Sequence, residues 1–216
     1  MRTRPFASAL DHVLIGAPTL EAGIDWFEER TGVRAARGGA HPGLGTWNAV
    51  ASLGPAQYVE IIAPDPDQPG EETFYVPGLR DFHGPRIATW AASADNLVSR
   101  FSSNLPDGIV CEPPRRGSRV RPDGTRLAWS LAFPKDAIRR NFDGMLPFFI
   151  EWGAECPHPG LSAPSALKLL SMSIAHPAPA ALNDALRALG IEDGAHEGRE
   201  ASIRVELETP RGAVTL

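Results

Sequence analysis

The chain is poor in cysteine: Cys111 and Cys156 are the two in 216 residues, too few for a disulfide framework and without the close spacing of a metal finger. That scarcity suits a reducing compartment, so a cytoplasmic protein is expected. It is also poor in long apolar runs. None approaches the roughly 20 residues of a membrane span, and Asp11 and His12 interrupt the apolar stretch after Arg2 and Arg4, which argues against a secretory leader. Basic clustering is slight as well, with 21 Lys and Arg against 26 Asp and Glu and a formal charge of -5. This disfavours nucleic acid and anionic membranes as partners. No G-x-x-x-x-G-K-[ST] or G-x-S-x-G occurs, which removes the common phosphate loop and nucleophile elbow. A small-molecule substrate remains, in a protein long enough to bury a core without staples and able to form a homodimer.

What is present repeats. "LDHVLIGAPTLEAGIDWFEERTG", "RIATWAASADNLVSRFSSNLPDG" and "LKLLSMSIAHPAPAALNDALRALG" each give a short apolar run, a turn, and apolar residues at helical spacing up to a glycine. Leu20, Ile24 and Phe27 make one such stripe, with Thr19 as N-cap and Gly32 as left-handed cap. Leu97 and Phe101 make the second before a stop at Pro106 and Gly108, and Leu182, Leu186 and Leu189 the third.

Each unit closes on a strand with an acidic residue inside it: Glu60 in "YVEIIAP", Glu151 in "FFIEWGA" and Glu206 in "IRVELETP". Such a carboxylate faces either solvent or a cleft. A short strand is expected near Val33 to Arg37, a Gly-Pro hairpin within "GTWNAVASLGPAQYVEIIAP", a second hairpin turning at Pro122-Asp123-Gly124, and an insertion over 134–146. The divisions are 1–80, 81–156 and a shorter unit over 167–216, expected to cover a sheet edge.

Two βαβββ units opened by "LDHVLIG" and closed by "YVEIIAP" resemble the vicinal oxygen chelate superfamily of glyoxalases, extradiol dioxygenases and bleomycin-resistance proteins. The pattern GG-x-HP-x-x-GT-x-N over 38–48 is more narrowly similar to its glyoxalase-like domain family. The resemblance implies an α+β fold, paired βαβββ modules forming a curved open barrel, with a C-terminal βαββ half-module. It implies a cleft with ligands for a divalent metal ion (Zn, Ni, Mn or Fe) on the first and last strands of each unit. By position these are His12, Glu60 and Glu151, with Thr89 where a fourth ligand is expected. His83 and His158 are candidates for that place.

Strand alternation puts His12, Leu14 and Gly16 on one face of the first strand, opposite Val13 and Ile15, and groups Glu60 with Tyr58 and Ile62 on its own strand, both sets being expected to face the cleft. Residues 38–45 read as a loop over the cleft mouth, so His41, Thr46, Trp47 and Asn48 are the expected ligand-binding residues. Arg115, Arg116, Arg119 and Arg121 read mainly as a solvated run, with bidentate binding of an anionic substrate as the lesser alternative, and His176 and His196 read as surface residues. The expected function is a metal-dependent lyase or isomerase acting on a small substrate with vicinal oxygens, with Glu60 and Glu151 catalytic. The alternatives are a metal-free binding module walled by Trp47, Trp90, Trp129 and Trp152, at least two of them core, and a ring-cleaving dioxygenase using two histidines and a carboxylate.

Overall fold

The elements of the computed structural model are, in chain order, α1 (Phe6–Ala9), β1 (Leu10–Gly16), α2 (Leu20–Thr31), β2 (Ala36–His41), β3 (Thr46–Gly54), β4 (Gln57–Pro64), β5 (Arg86–Ser93) and α3 (Leu97–Phe101), then β6 (Arg115–Val120), β7 (Arg126–Ala132), β8 (Phe148–Trp152), β9 (Lys168–His176), α4 (Pro179–Ala188), β10 (Ala195–Glu197), β11 (Ser202–Thr209) and β12 (Gly212–Thr215). The structure describes residues 6–68, 76, 78–101, 109–121, 124–135, 138, 142–192 and 194–216. Pro106, Gly108, Pro122 and Asp123 lie outside them.

Eight strands form one sheet in the order β2-β3-β4-β1-β5-β8-β7-β6. The two units meet along β1 and β5, which pair antiparallel, and each unit's last strand runs parallel to its first. Right-handed twist accumulated over eight strands curls such a sheet, and here it brings the edge strands β2 and β6 near one another, so the barrel is nearly closed. The fold is mixed α and β, mostly strand, as the repeat pattern implies.

Local chemistry explains the first unit. Thr19 Oγ1 accepts from Ala22 N at 3.2 Å and Gly32 takes φ 74, so a hydroxyl cap opens α2 and a left-handed glycine closes it. Its buried stripe, Leu20, Ile24 and Phe27, packs on the outer face of the sheet with Val13, Ile15, Val59 and Ile61. The alternate residues Leu14 and Ile62 join Phe148, Ile150, Leu127 and Leu131 inside the barrel.

Two expectations are corrected. The short second strand runs over Ala36–His41 rather than Val33–Arg37, so Gly38 and Gly39 belong to an edge strand and the loop is confined to residues 42–45. The C-terminal unit forms its own sheet, β10-β9-β11-β12, and its β9 and β11 pack against the interior strands β3 and β5. It therefore covers the face of the large sheet, not an edge. Ile174, Leu182, Leu186, Val205 and Leu207 join the same apolar cluster as Phe6, Phe27 and Trp90.

Candidate active site

A bulge sets the site. The β1–β5 register slips between Leu10 and His12, which leaves Asp11 as the extra residue and lets two successive side chains turn the same way. His12 Nδ1 donates to Asp11 Oδ1 at 2.7 Å, and His12 Nε2 lies 3.2 Å from Glu60 Oε2. Asp11 is itself held by Trp152 Nε1 at 3.1 Å and by His158 Nε2 at 3.3 Å. His158 Nδ1 accepts from Gly160 N, so the Nε2 of a neutral His158 carries the proton toward Asp11.

Glu60 has further neighbours. Asn48 Nδ2 donates to Glu60 Oε1 at 2.5 Å, and His41 Nε2 stands 3.7 Å from that same oxygen. His41 is oriented by Thr46, 2.9 Å from its Nδ1. Tyr58 stacks on His12 with centroids 4.5 Å apart. The cavity here is lined by these groups with Arg119, Trp129, Phe148 and Trp152, and its accessible space of about 40 Å³ has room for roughly three waters.

Burial and partners set the charges. Burial alone would push the Glu60 carboxyl up, but the His12 hydrogen bond and charge, with His41 and Asn48, outweigh it and hold the group at about 2. Burial opposes protonation of His12, yet Asp11 and Glu60 raise it to about 9. His41 is pushed down to about 4, mainly by burial, with Arg119 adding to the fall and Glu60 opposing it. At neutral pH the site thus holds an imidazolium, a carboxylate and a neutral imidazole.

The structure brings together His12, Glu60, His41, Thr46 and Asn48. It places two other expected residues elsewhere. Phe148, Ile150 and Trp152 face the cavity, so Glu151 projects from the opposite face of β8, where its oxygens accept from Asn96 N at 2.9 Å and Leu97 N at 3.1 Å and cap α3. Trp47 points to the outer core, with the Arg37 guanidinium 5.0 Å from its ring centre. Trp90 is also outer core, while Trp129 and Trp152 wall the cavity. His83 is exposed, His176 is buried rather than on the surface, and Thr89 bonds to Gly144 O. Asp11 is a site residue that the sequence pattern does not single out, and of the four arginines of the basic run Arg119 is the one that lines the cavity.

The residues present do not fit a resident divalent ion. Among the described residues no three His, Cys, Asp or Glu side chains are grouped to hold one. Both Glu60 oxygens are engaged, and the cation Arg119 lines the same cavity.

The second unit lacks counterparts of His12 and Glu60. Where β1–β4 pairs His12 with Tyr58 and Leu14 with Glu60, β5–β8 pairs Ala91 with Phe148 and Ser93 with Ile150. Ala91 and Ile150 thus stand in place of the histidine and the glutamate.

The chain is similar to several solved structures. A hypothetical protein from Staphylococcus aureus superposes with a TM-score of 0.69 at 10% identity, over 95% of this chain and 97% of that one. Methylmalonyl-CoA epimerase from Mycobacterium tuberculosis gives 0.44 at 20% identity, over 75% and 96%. A hypothetical protein from Bacillus halodurans gives 0.46 at 16%, over 68% and 96%. No curated protein matches the chain in sequence. The sequence profile of the glyoxalase-like domain matches residues 10–190, most of the chain, and the protein belongs to that family.

Proposed function

We propose that the protein is a proton-transfer enzyme, an isomerase or lyase, acting on a small molecule with vicinal oxygens. The observation that carries this reading is the contact of an imidazolium with a carboxylate in a buried cleft, His12 Nε2 to Glu60 Oε2 at 3.2 Å, with Asp11 behind the imidazole. A carboxylate held at about 2 is a poor base. A substrate carbonyl oxygen that takes over the His12 Nε2–H changes that: it is polarised by the imidazolium, while Glu60 loses its strongest stabilising partner and becomes more basic where it is needed. Glu60 then removes a proton from the carbon beside the carbonyl, and His12 stabilises the resulting enolate oxygen. His41, neutral and oriented by Thr46, is placed to receive a second oxygen.

The test is solvent exchange. In D2O, hydroxyacetone should lose its carbon-bound protons beside the carbonyl in the presence of the protein, as read by NMR, and Glu60→Gln should abolish the effect. Exchange that persists in Glu60→Gln, or that requires a stoichiometric divalent ion retained through purification, overturns the reading. Quenching of Trp129 and Trp152 fluorescence by small ligands without exchange would instead support a binding module, which the aromatic walls of the cleft also suit.

A further inference from the structure

Arg119 is a buried cation with a hydrogen-bonding group that the site leaves unmatched. It projects from β6 across the seam to β2, is 8% exposed, and its Nη1 has no hydrogen-bond partner among the described residues. Asn48 turns its Nδ2 to Glu60 and leaves Oδ1 equally unmatched. The backbone makes room for both groups. A methyl on Gly38 would collide with Asn48 Oδ1 and come within 2.9 Å of Arg119 Nη1, and one on Gly39, which sits at φ 123, would lie 3.1 Å from it. The paired glycines of "GGAHPG" therefore let an arginine lie against an edge strand inside the cavity.

A buried guanidinium N–H without an acceptor is costly, and a buried amide oxygen without a donor adds to the cost. Unmatched buried groups of this kind mark where a ligand completes the network. We infer that Arg119 and Asn48 form a carboxylate subsite, and that the substrate is a short carboxylate with a vicinal hydroxyl or carbonyl oxygen. The carboxylate accepts from the Arg119 fork, a hydroxyl donates to Asn48 Oδ1, and the vicinal oxygen reaches toward His12. The small cavity leaves room for only a few further substrate atoms. This assignment rests on the proton-transfer reading of the same cleft and names the class of molecule it takes.

The experiment compares matched pairs by calorimetry and by ligand-induced shifts in melting temperature: pyruvate against hydroxyacetone, and lactate against propane-1,2-diol. In each pair the carboxylate should bind the wild-type protein more tightly by about tenfold or more, as expected for a charge-assisted pair. Arg119→Gln should erase that preference while leaving the neutral partners unchanged, and Arg119→Lys should restore it in part. Because the substitution removes a desolvated cation with an orphaned N–H, Arg119→Gln should melt no lower than wild type. Equal binding within each pair, or a preference that survives in Arg119→Gln, overturns the subsite. So does the absence of binding by all four. Carboxylate preference without any proton exchange would overturn the proton-transfer reading and keep the subsite. Glu60-dependent exchange of hydroxyacetone without carboxylate preference would do the reverse.

Discussion

Protonation of single residues ties the cleft to stability. His12 has a folded value of about 9 against an ordinary 6.5, so its contribution is complete below 6.5 and is lost as pH rises through 9. His41 moves the other way, from 6.5 to about 4, so acidification through that window favours the unfolded chain, which takes up the proton more readily. Glu60 extends the acid limb: its contribution is present above 4.5 and lost as pH falls through about 2. Urea unfolding should therefore show maximal stability near pH 6.5, with a decline toward pH 9 that His12→Gln flattens. A monotonic rise from pH 6.5 to 9 would show that His12 is not held as an imidazolium. In catalysis, replacing Glu60 by Gln should cost about 10²–10⁴-fold in exchange rate, the range for a lost general base.

Within single elements, the two strand-borne glutamates separate into distinct tasks. Glu151 satisfies two otherwise unpaired amides at the start of α3, so Glu151→Ala should cost about 1 kcal/mol in urea unfolding and leave ligand binding in the cleft intact. Loss of binding in that variant would place Glu151 in the site after all. On β2, Gly38→Ala should weaken carboxylate binding more than binding of the neutral analogues, because the new methyl displaces Arg119 or Asn48.

The same elements show what the sequence can convey. Period-two alternation correctly groups His12 with Leu14 and Glu60 with Tyr58 and Ile62. It groups Glu151 with Phe149 just as well, but alternation carries no sign. β8 has apolar residues on both faces, Phe149 outward and Ile150 inward, so the pattern does not say which face meets the cleft. Asp11 is hidden by a bulge, which breaks the alternation rule at that residue. Arg119 is hidden by distance along the chain, since its role exists only once β6 is curled beside β2.

For the molecule as a whole, a single apolar cluster joins helices and strands from the first β-strand to the C-terminal sheet. Buried Leu and Ile side chains contribute roughly 1.5–3 kcal/mol each, and several of those shared with the large sheet belong to β9, α4 and β11. Hydrogen bonds cross the same boundary, from Arg211 Nη1 to Glu29 O at 2.5 Å and from Arg100 Nη2 to Leu189 O at 2.7 Å. The full chain should unfold in one thermal transition, and a version ending at residue 166 should bind hydrophobic dye in the absence of denaturant. Two resolved transitions in calorimetry would show that the C-terminal sheet is an independent unit.

The substitution of Ala91 and Ile150 for the polar pair of the first half has a quantitative corollary. A barrel built from duplicated halves could in principle take up two molecules related by its internal dyad, each modulating the other. With one histidine–glutamate pair per polypeptide, titration should saturate at one equivalent along a simple hyperbola. The duplicate half then contributes apolar walls and the Arg119 side chain instead of a second histidine–glutamate pair.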